Sequence, residues 1–170
     1  MMGRMANGLT YSRKVASVDA MKQLAATLAP YVHPGDAVVL SGDLGAGKTQ
    51  FVQGVAAALG IRDAVCSPTF NILLTYPEGR VPLYHFDLYR LDGGEQLDDI
   101  GFYETVDGDG VSFIEWGDKF LQEMPYNYLD VRIAVNADGS RTVRIHAIGD
   151  RARQLLYVWA NDSKSRLVKC

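Results

Sequence analysis

Eight consecutive residues, Gly42-Asp43-Leu44-Gly45-Ala46-Gly47-Lys48-Thr49, constrain this chain more than any other feature. They satisfy the pattern G-x-x-x-x-G-K-[ST], which composition alone produces on the order of once in two hundred chains of this length. The flanks strengthen the match. Val38-Val39-Leu40 reads as a buried strand entered through the turn Pro34-Gly35-Asp36, and Phe51, Val52, Val55, Ala56 and Leu59 form an apolar stripe at helical spacing. A strand, a glycine loop and a helix in that order make a phosphate cradle. Glycines let backbone N–H groups close on phosphate oxygens, Lys48 reaches the β- and γ-phosphates, and the Thr49 hydroxyl can ligate Mg²⁺. The helix N-terminus adds a favourable field for the anion. Binding of a nucleoside triphosphate through Asp43, Leu44, Gly45, Ala46, Gly47, Lys48 and Thr49 is therefore expected.

The rest of the sequence sets the frame. With 170 residues, 48% of them apolar, the chain has the size and core material of one domain. No stretch approaches the roughly twenty apolar residues of a membrane span, and Met1 to Gly8 lack the apolar segment of a secretory signal. A cytoplasmic protein without a membrane partner is expected. Cys66 and Cys170 are too few and too far apart for a disulfide framework or a zinc site. Seventeen basic against 20 acidic residues, a net charge of −3, argue against a dedicated nucleic-acid surface, so any contact with RNA is expected to be indirect, through a partner.

Along the chain, strand and helix patterns alternate without repeats. Leu9 to Val15 reads as a first edge strand and Ser17 as a helix N-cap; Met21, Leu24, Ala25 and Leu28 follow at helical spacing up to Pro30. Ile72 to Tyr76 and Val81 to Asp87 read as an antiparallel pair around Pro77-Glu78-Gly79-Arg80. Glu95 to Ile100 fits a short helix and Val111 to Glu115 an inner strand; Leu129 to Val135 and Thr142 to Ala147 fit a hairpin through Asp138-Gly139. This succession predicts a three-layer α/β fold of the P-loop NTPase kind, with a mixed central sheet flanked by helices. Residues 1–150 are expected to form that domain and 151–170 a C-terminal extension, unpatterned apart from Leu155 to Trp159, which reads as a terminal helix or as a disordered end.

A phosphate-loop enzyme needs a carboxylate at a neighbouring strand end to hold its metal, directly or through water. Glu115 closes the run Val111-Ser112-Phe113-Ile114, where a Walker B acid would stand, and Asp87 closes Leu83-Tyr84-His85-Phe86. The bland alternative for either is a solvated acid. His85 alternates with Asp87, but a lone histidine is more often a structural hydrogen-bonder than a catalyst. Ser67 and Thr69 lie in the first loop beyond the phosphate-loop helix, where nucleotide switches place a hydroxyl that senses the γ-phosphate; an ordinary Ser-Pro turn reads equally well.

Taken in order, the phosphate loop, Ser67-Pro68-Thr69-Phe70, His85-Phe86-Asp87-Leu88-Tyr89-Arg90-Leu91 and Ile114-Glu115-Trp116 resemble the bacterial tRNA threonylcarbamoyladenosine biosynthesis ATPase family, TsaE. The resemblance runs from about Ser17 to Ala147 and leaves residues 150–170 outside. It implies a small cytoplasmic ATPase that joins TsaD and TsaB and supports modification of the adenosine beside the anticodon without performing the transfer. It further implies ATP at the phosphate loop, Thr49 and Glu115 as Mg²⁺ ligands, and Asp87 as a metal-shell or water-orienting acid. Thr69 would belong to a switch loop, Trp116 would face nucleotide or partner, and Val18 and Arg141 would contact adenine. Where the family often continues the tryptophan with Pro-Glu, this chain has Gly117-Asp118.

With Lys48, Asp87 and Glu115 as the catalytic set, hydrolysis by in-line attack of water is expected, slow in isolation because no obvious arginine finger is present. Two other readings share the loop. A small-molecule phosphotransferase would need an arginine-bearing lid, for which Arg151 and Arg153 are the available residues. A GTP switch would need an Asn-Lys-x-Asp motif, which the sequence lacks.

Overall fold

A computed structural model describes residues 9–68 and 70–170. Strand β1 (Thr10–Val15) leads into helix α1 (Val18–Ala26). Ser17 caps this helix as its sequence suggests: its hydroxyl accepts the Ala20 N–H at 3.0 Å while its own backbone is extended. Strand β2 (Ala37–Ser41), the phosphate loop and helix α2 (Lys48–Ala58) follow. Then come β3 (Leu73–Tyr76), β4 (Leu83–Asp87), the short helices α3 (Glu95–Asp99) and α4 (Phe102–Val106), and β5 (Val111–Glu115). The chain closes with β6 (Tyr128–Val135), β7 (Arg141–Ile148), helix α5 (Asp150–Asn161) and β8 (Val168–Lys169).

The described residues build one eight-stranded sheet in the order β3-β4-β5-β2-β6-β7-β1-β8. Its centre is parallel: β4 pairs with β5, β5 with β2 and β2 with β6. The wings, β3 on one side and β7, β1 and β8 on the other, are antiparallel. Helices cover both faces, as a parallel centre requires. Period-two alternation along β2 shows the division: Val38 and Leu40 join the core under α1, α2 and α5, while Ala37 and Val39 join the core under α3 and α4. The structure is thus the three-layer α/β arrangement with a mixed sheet.

One reading changes, and one left open is decided. The strand at Thr10–Val15 is not the sheet edge, because Tyr11 and Ser12 also pair with Lys169 and Val168 of β8. Residues 150–161, weakly patterned in sequence, form α5, whose Ala152, Leu155, Leu156 and Trp159 are buried at a helical repeat. Trp159 lies edge-on to Phe51 of α2, with ring centroids 6.4 Å apart, and its Nε1 donates to Thr27 Oγ1 at 2.8 Å. The tail therefore packs directly on the helix that follows the phosphate loop.

Candidate functional site

Register brings the chemistry together. Leu40 of β2 pairs with Glu115 of β5, and Glu115 pairs with Asp87 of β4, so both acids stand beside the phosphate loop at the carboxyl ends of adjacent parallel strands. That is where open parallel sheets bind ligands, at the point where the chain departs to either side of its first inner strand.

The loop is shaped by its glycines. At Gly42 the backbone φ is +148°, and a Cβ would lie 2.5 Å from the carbonyl oxygen of Ile133, so only glycine passes under β6 here. Gly47, at φ +116°, is the N-cap of α2 and offers no side chain to its first-turn amides. Those N–H groups are left without intrahelical partners at the positive end of an eleven-residue helix, an arrangement suited to an anion.

Lys48 is 5% exposed. Its ammonium donates to the Gly42 carbonyl and sits 4.0 Å from the centroid of the Trp116 ring. Burial pulls its pKa below the ordinary lysine value, an effect opposed by the negative charges of Glu115, Asp87, Asp118 and Asp43. Asp118, the acid that follows Gly117, thus contributes to the field at Lys48. Trp116 itself adopts a left-handed backbone, φ +64°, which is costly for a bulky residue and places its ring over the lysine.

The half-buried Thr49 hydroxyl donates to Glu115 Oε2 at 3.3 Å, and Glu115 is 3% exposed. A hydroxyl and a carboxylate are the hard oxygen donors that Mg²⁺ takes. No cluster of three acidic, histidine or cysteine ligands occurs among the described residues. Asp87 accepts from Ser67 Oγ at 3.1 Å and from the Tyr89 N–H at 3.0 Å, so its carboxylate is held beside the loop by the segment after α2. Thr69 lies outside the described residues.

Two cavities flank the loop. One of about 400 Å³ is bounded by Lys48, Thr49, Ser67, Asp87, Glu115 and Trp116, with Leu44 and Arg90 at its margin. The other, about 220 Å³, lies between the loop and α1 and is lined by Val18, Met21, Gln50 and Arg141. The Arg141 guanidinium reaches back to the loop, donating to the Ala46 carbonyl at 3.0 Å and to that of Gly45 at 3.3 Å. Val18 and Arg141, 123 positions apart, therefore share one cavity at the loop's outer side.

Sequence reasoning missed Arg90. Its guanidinium lies 4.6 Å from the centroid of the exposed Phe70 ring and lines the same cavity as Lys48. Nothing local marks it, since its placement depends on the loop after β4. His85 is fully buried and hydrogen-bonds Glu115, as the structural reading of a lone histidine has it, though its partner has no sequence signal. Conversely, Arg151 holds Asp36 with two bonds, 2.9 and 2.8 Å, at the opposite end of β2, roughly 16 Å from the phosphate loop by strand rise. Arg153 is paired with Asp150 on the surface. The arginines that a phosphotransferase lid would need are committed elsewhere.

Comparison with known proteins agrees with this geometry. A family model described as "Threonylcarbamoyl adenosine biosynthesis protein TsaE" matches residues 15–143. The tRNA threonylcarbamoyladenosine biosynthesis protein TsaE of Bacillus subtilis is 37% identical over 142 residues, 84% of this chain and 89% of that protein. Its namesake in Treponema pallidum is 47% identical over 111 residues, 65% and 82% of the two chains. The crystal structure of Bacillus subtilis YdiB superposes with a TM-score of 0.77 at 33% identity, covering 90% of this chain and 95% of that one. No helix among the described residues is long and apolar enough to cross a membrane. With its phosphate loop, its strand-end acids and a family match that spans most of its length, the chain belongs to the TsaE family.

Proposed function

We propose that the protein hydrolyses ATP, with Mg²⁺, as a subunit of the machinery that forms threonylcarbamoyladenosine next to the anticodon of tRNAs. TsaD-like and TsaB-like proteins are its partners, and it meets tRNA only through them. The observation that carries the reading is the convergence on one cavity of Lys48, at the start of α2, with Asp87 and Glu115, at the ends of neighbouring parallel strands, inside a chain of this family.

The roles follow from position. The loop amides and Lys48 bind the phosphates and meet the charge that spreads over the transferred group. Thr49 and Glu115 would hold Mg²⁺, which when bound neutralises phosphate charge. Asp87, already oriented by Ser67 and Tyr89, is placed to align the attacking water. Val18, Met21 and Arg141 line the cavity assigned to the adenine, where an apolar floor and a cation suit the face of a purine.

Basal turnover is expected to be slow and to rise when TsaD-like and TsaB-like proteins are added, measured as steady-state phosphate release; equal turnover with and without them contradicts the proposal. Beside Lys48, Arg90 is the one arginine among the described residues that lines the phosphate-side cavity. Arg90→Ala is expected to reduce stimulated turnover by at least about tenfold while ADP affinity changes little. Unaltered stimulated turnover would assign the missing charge to the partner instead.

A further inference from the structure

His85 points to a role that the phosphate-loop chemistry does not itself require. The side chain is fully buried in β4, and its Nε2 lies 2.5 Å from Glu115 Oε2. Its other nitrogen, Nδ1, has no hydrogen-bond partner. Glu115 is thus the only hydrogen-bond partner of this imidazole among the described residues. A buried polar ring with a single partner stabilises a fold no better than an apolar side chain of similar volume. What the ring does provide is direction. A carboxylate only accepts, so the imidazole donates its Nε2–H and fixes one oxygen of Glu115.

The choice of glutamate makes that fixation matter. Its side chain has one more rotatable bond than an aspartate at the same strand end, and hence more ways to turn from the loop. Oε2 accepts from two sides, from His85 at 2.5 Å and from Thr49 Oγ1 at 3.3 Å. Both contacts fall on one oxygen, which leaves Oε1 as the atom free to serve a cation or its bound water.

We infer that His85 is a positioning residue that aims Glu115 at the divalent cation, and that it sets the cation affinity of the nucleotide-bound protein rather than its nucleotide affinity. The inference rests on the assignment of Mg²⁺ to Thr49 and Glu115 made above. Groups that orient metal-ligating side chains are typically worth about ten- to a hundredfold in metal affinity.

The test is a titration of the ADP-bound protein with MgCl₂, followed by the fluorescence of Trp116, whose ring adjoins Lys48. Trp159, fully buried, supplies a steady background. His85→Leu is expected to raise the half-saturating Mg²⁺ about tenfold or more, with affinity for metal-free ADP within about twofold of the wild type. His85→Gln and His85→Asn guard against a loss of folding. The glutamine amide reaches the position of Nε2 and keeps a near-native Mg²⁺ response, whereas the shorter asparagine reaches only that of Nδ1 and loses it. An identical Mg²⁺ response in these two variants, or a native response in folded His85→Leu, overturns the positioning role while the metal assignment stands. A wild-type protein whose ADP complex ignores Mg²⁺ overturns both.

Discussion

Lys48→Ala is expected to weaken ATP binding by roughly a hundredfold and to reduce hydrolysis to background. The lysine ammonium is the one buried cation in the phosphate-side cavity among the described residues, and it is held toward the loop by the Gly42 carbonyl and the Trp116 ring. A charge-assisted hydrogen bond to a phosphate contributes on the order of 1.5–3 kcal/mol, and every 1.4 kcal/mol is about tenfold in affinity. The substitution also removes charge that grows in importance as the γ-phosphoryl group leaves, so turnover falls further than affinity. The fold is expected to tolerate it, because burial disfavours the ammonium and its removal relieves that cost. Isothermal titration with ATP and a phosphate-release assay check both parts; wild-type affinity in the variant would show that the loop is not the nucleotide site.

Trp159→Ala is expected to destabilise the protein by about 3–5 kcal/mol, the usual cost of truncating a large buried aromatic. At this chain length that corresponds to a fall in Tm of roughly 10 °C. Trp159 is fully buried, packs edge-on against Phe51 and donates to Thr27 Oγ1, which in turn donates to the Leu24 carbonyl at 2.6 Å. Its loss leaves a void between α5 and the helix that begins at Lys48. Thermal unfolding followed by circular dichroism gives the value, and a shift below about 2 °C would mean that α5 does not brace the phosphate-loop helix.

These two residues mark how far the sequence can be read. Lys48 is legible because the phosphate loop is contiguous, and each of its positions has a local reason. Asp87 and Glu115 are legible as strand-end acids, since hydrophobic runs that stop on a carboxylate need no partner to be recognised. Their adjacency is not, because parallel pairing joins segments far apart in the chain and leaves no local trace. The contact between His85 and Glu115 across that pairing was hidden for the same reason. Trp159 was obscured differently. Leu155-Leu156-Tyr157-Val158-Trp159 reads as an unbroken apolar run, but Tyr157 and Val158 face outward, and only Ala152, Leu155, Leu156 and Trp159 carry the helical repeat. Arg90 is ordinary by type, and the Phe70 ring that it stacks on lies twenty residues earlier in the chain, a contact with no local trace.

The central claim is that nucleotide turnover at this loop drives tRNA modification. Its most direct test is the threonylcarbamoyladenosine content of tRNA from cells depleted of their own family member and supplied either with this protein or with its Lys48→Ala variant at equal abundance. The wild-type chain is expected to restore the modified nucleoside and the variant to leave it near the depleted level. Restoration by the variant to the wild-type level would contradict the claim.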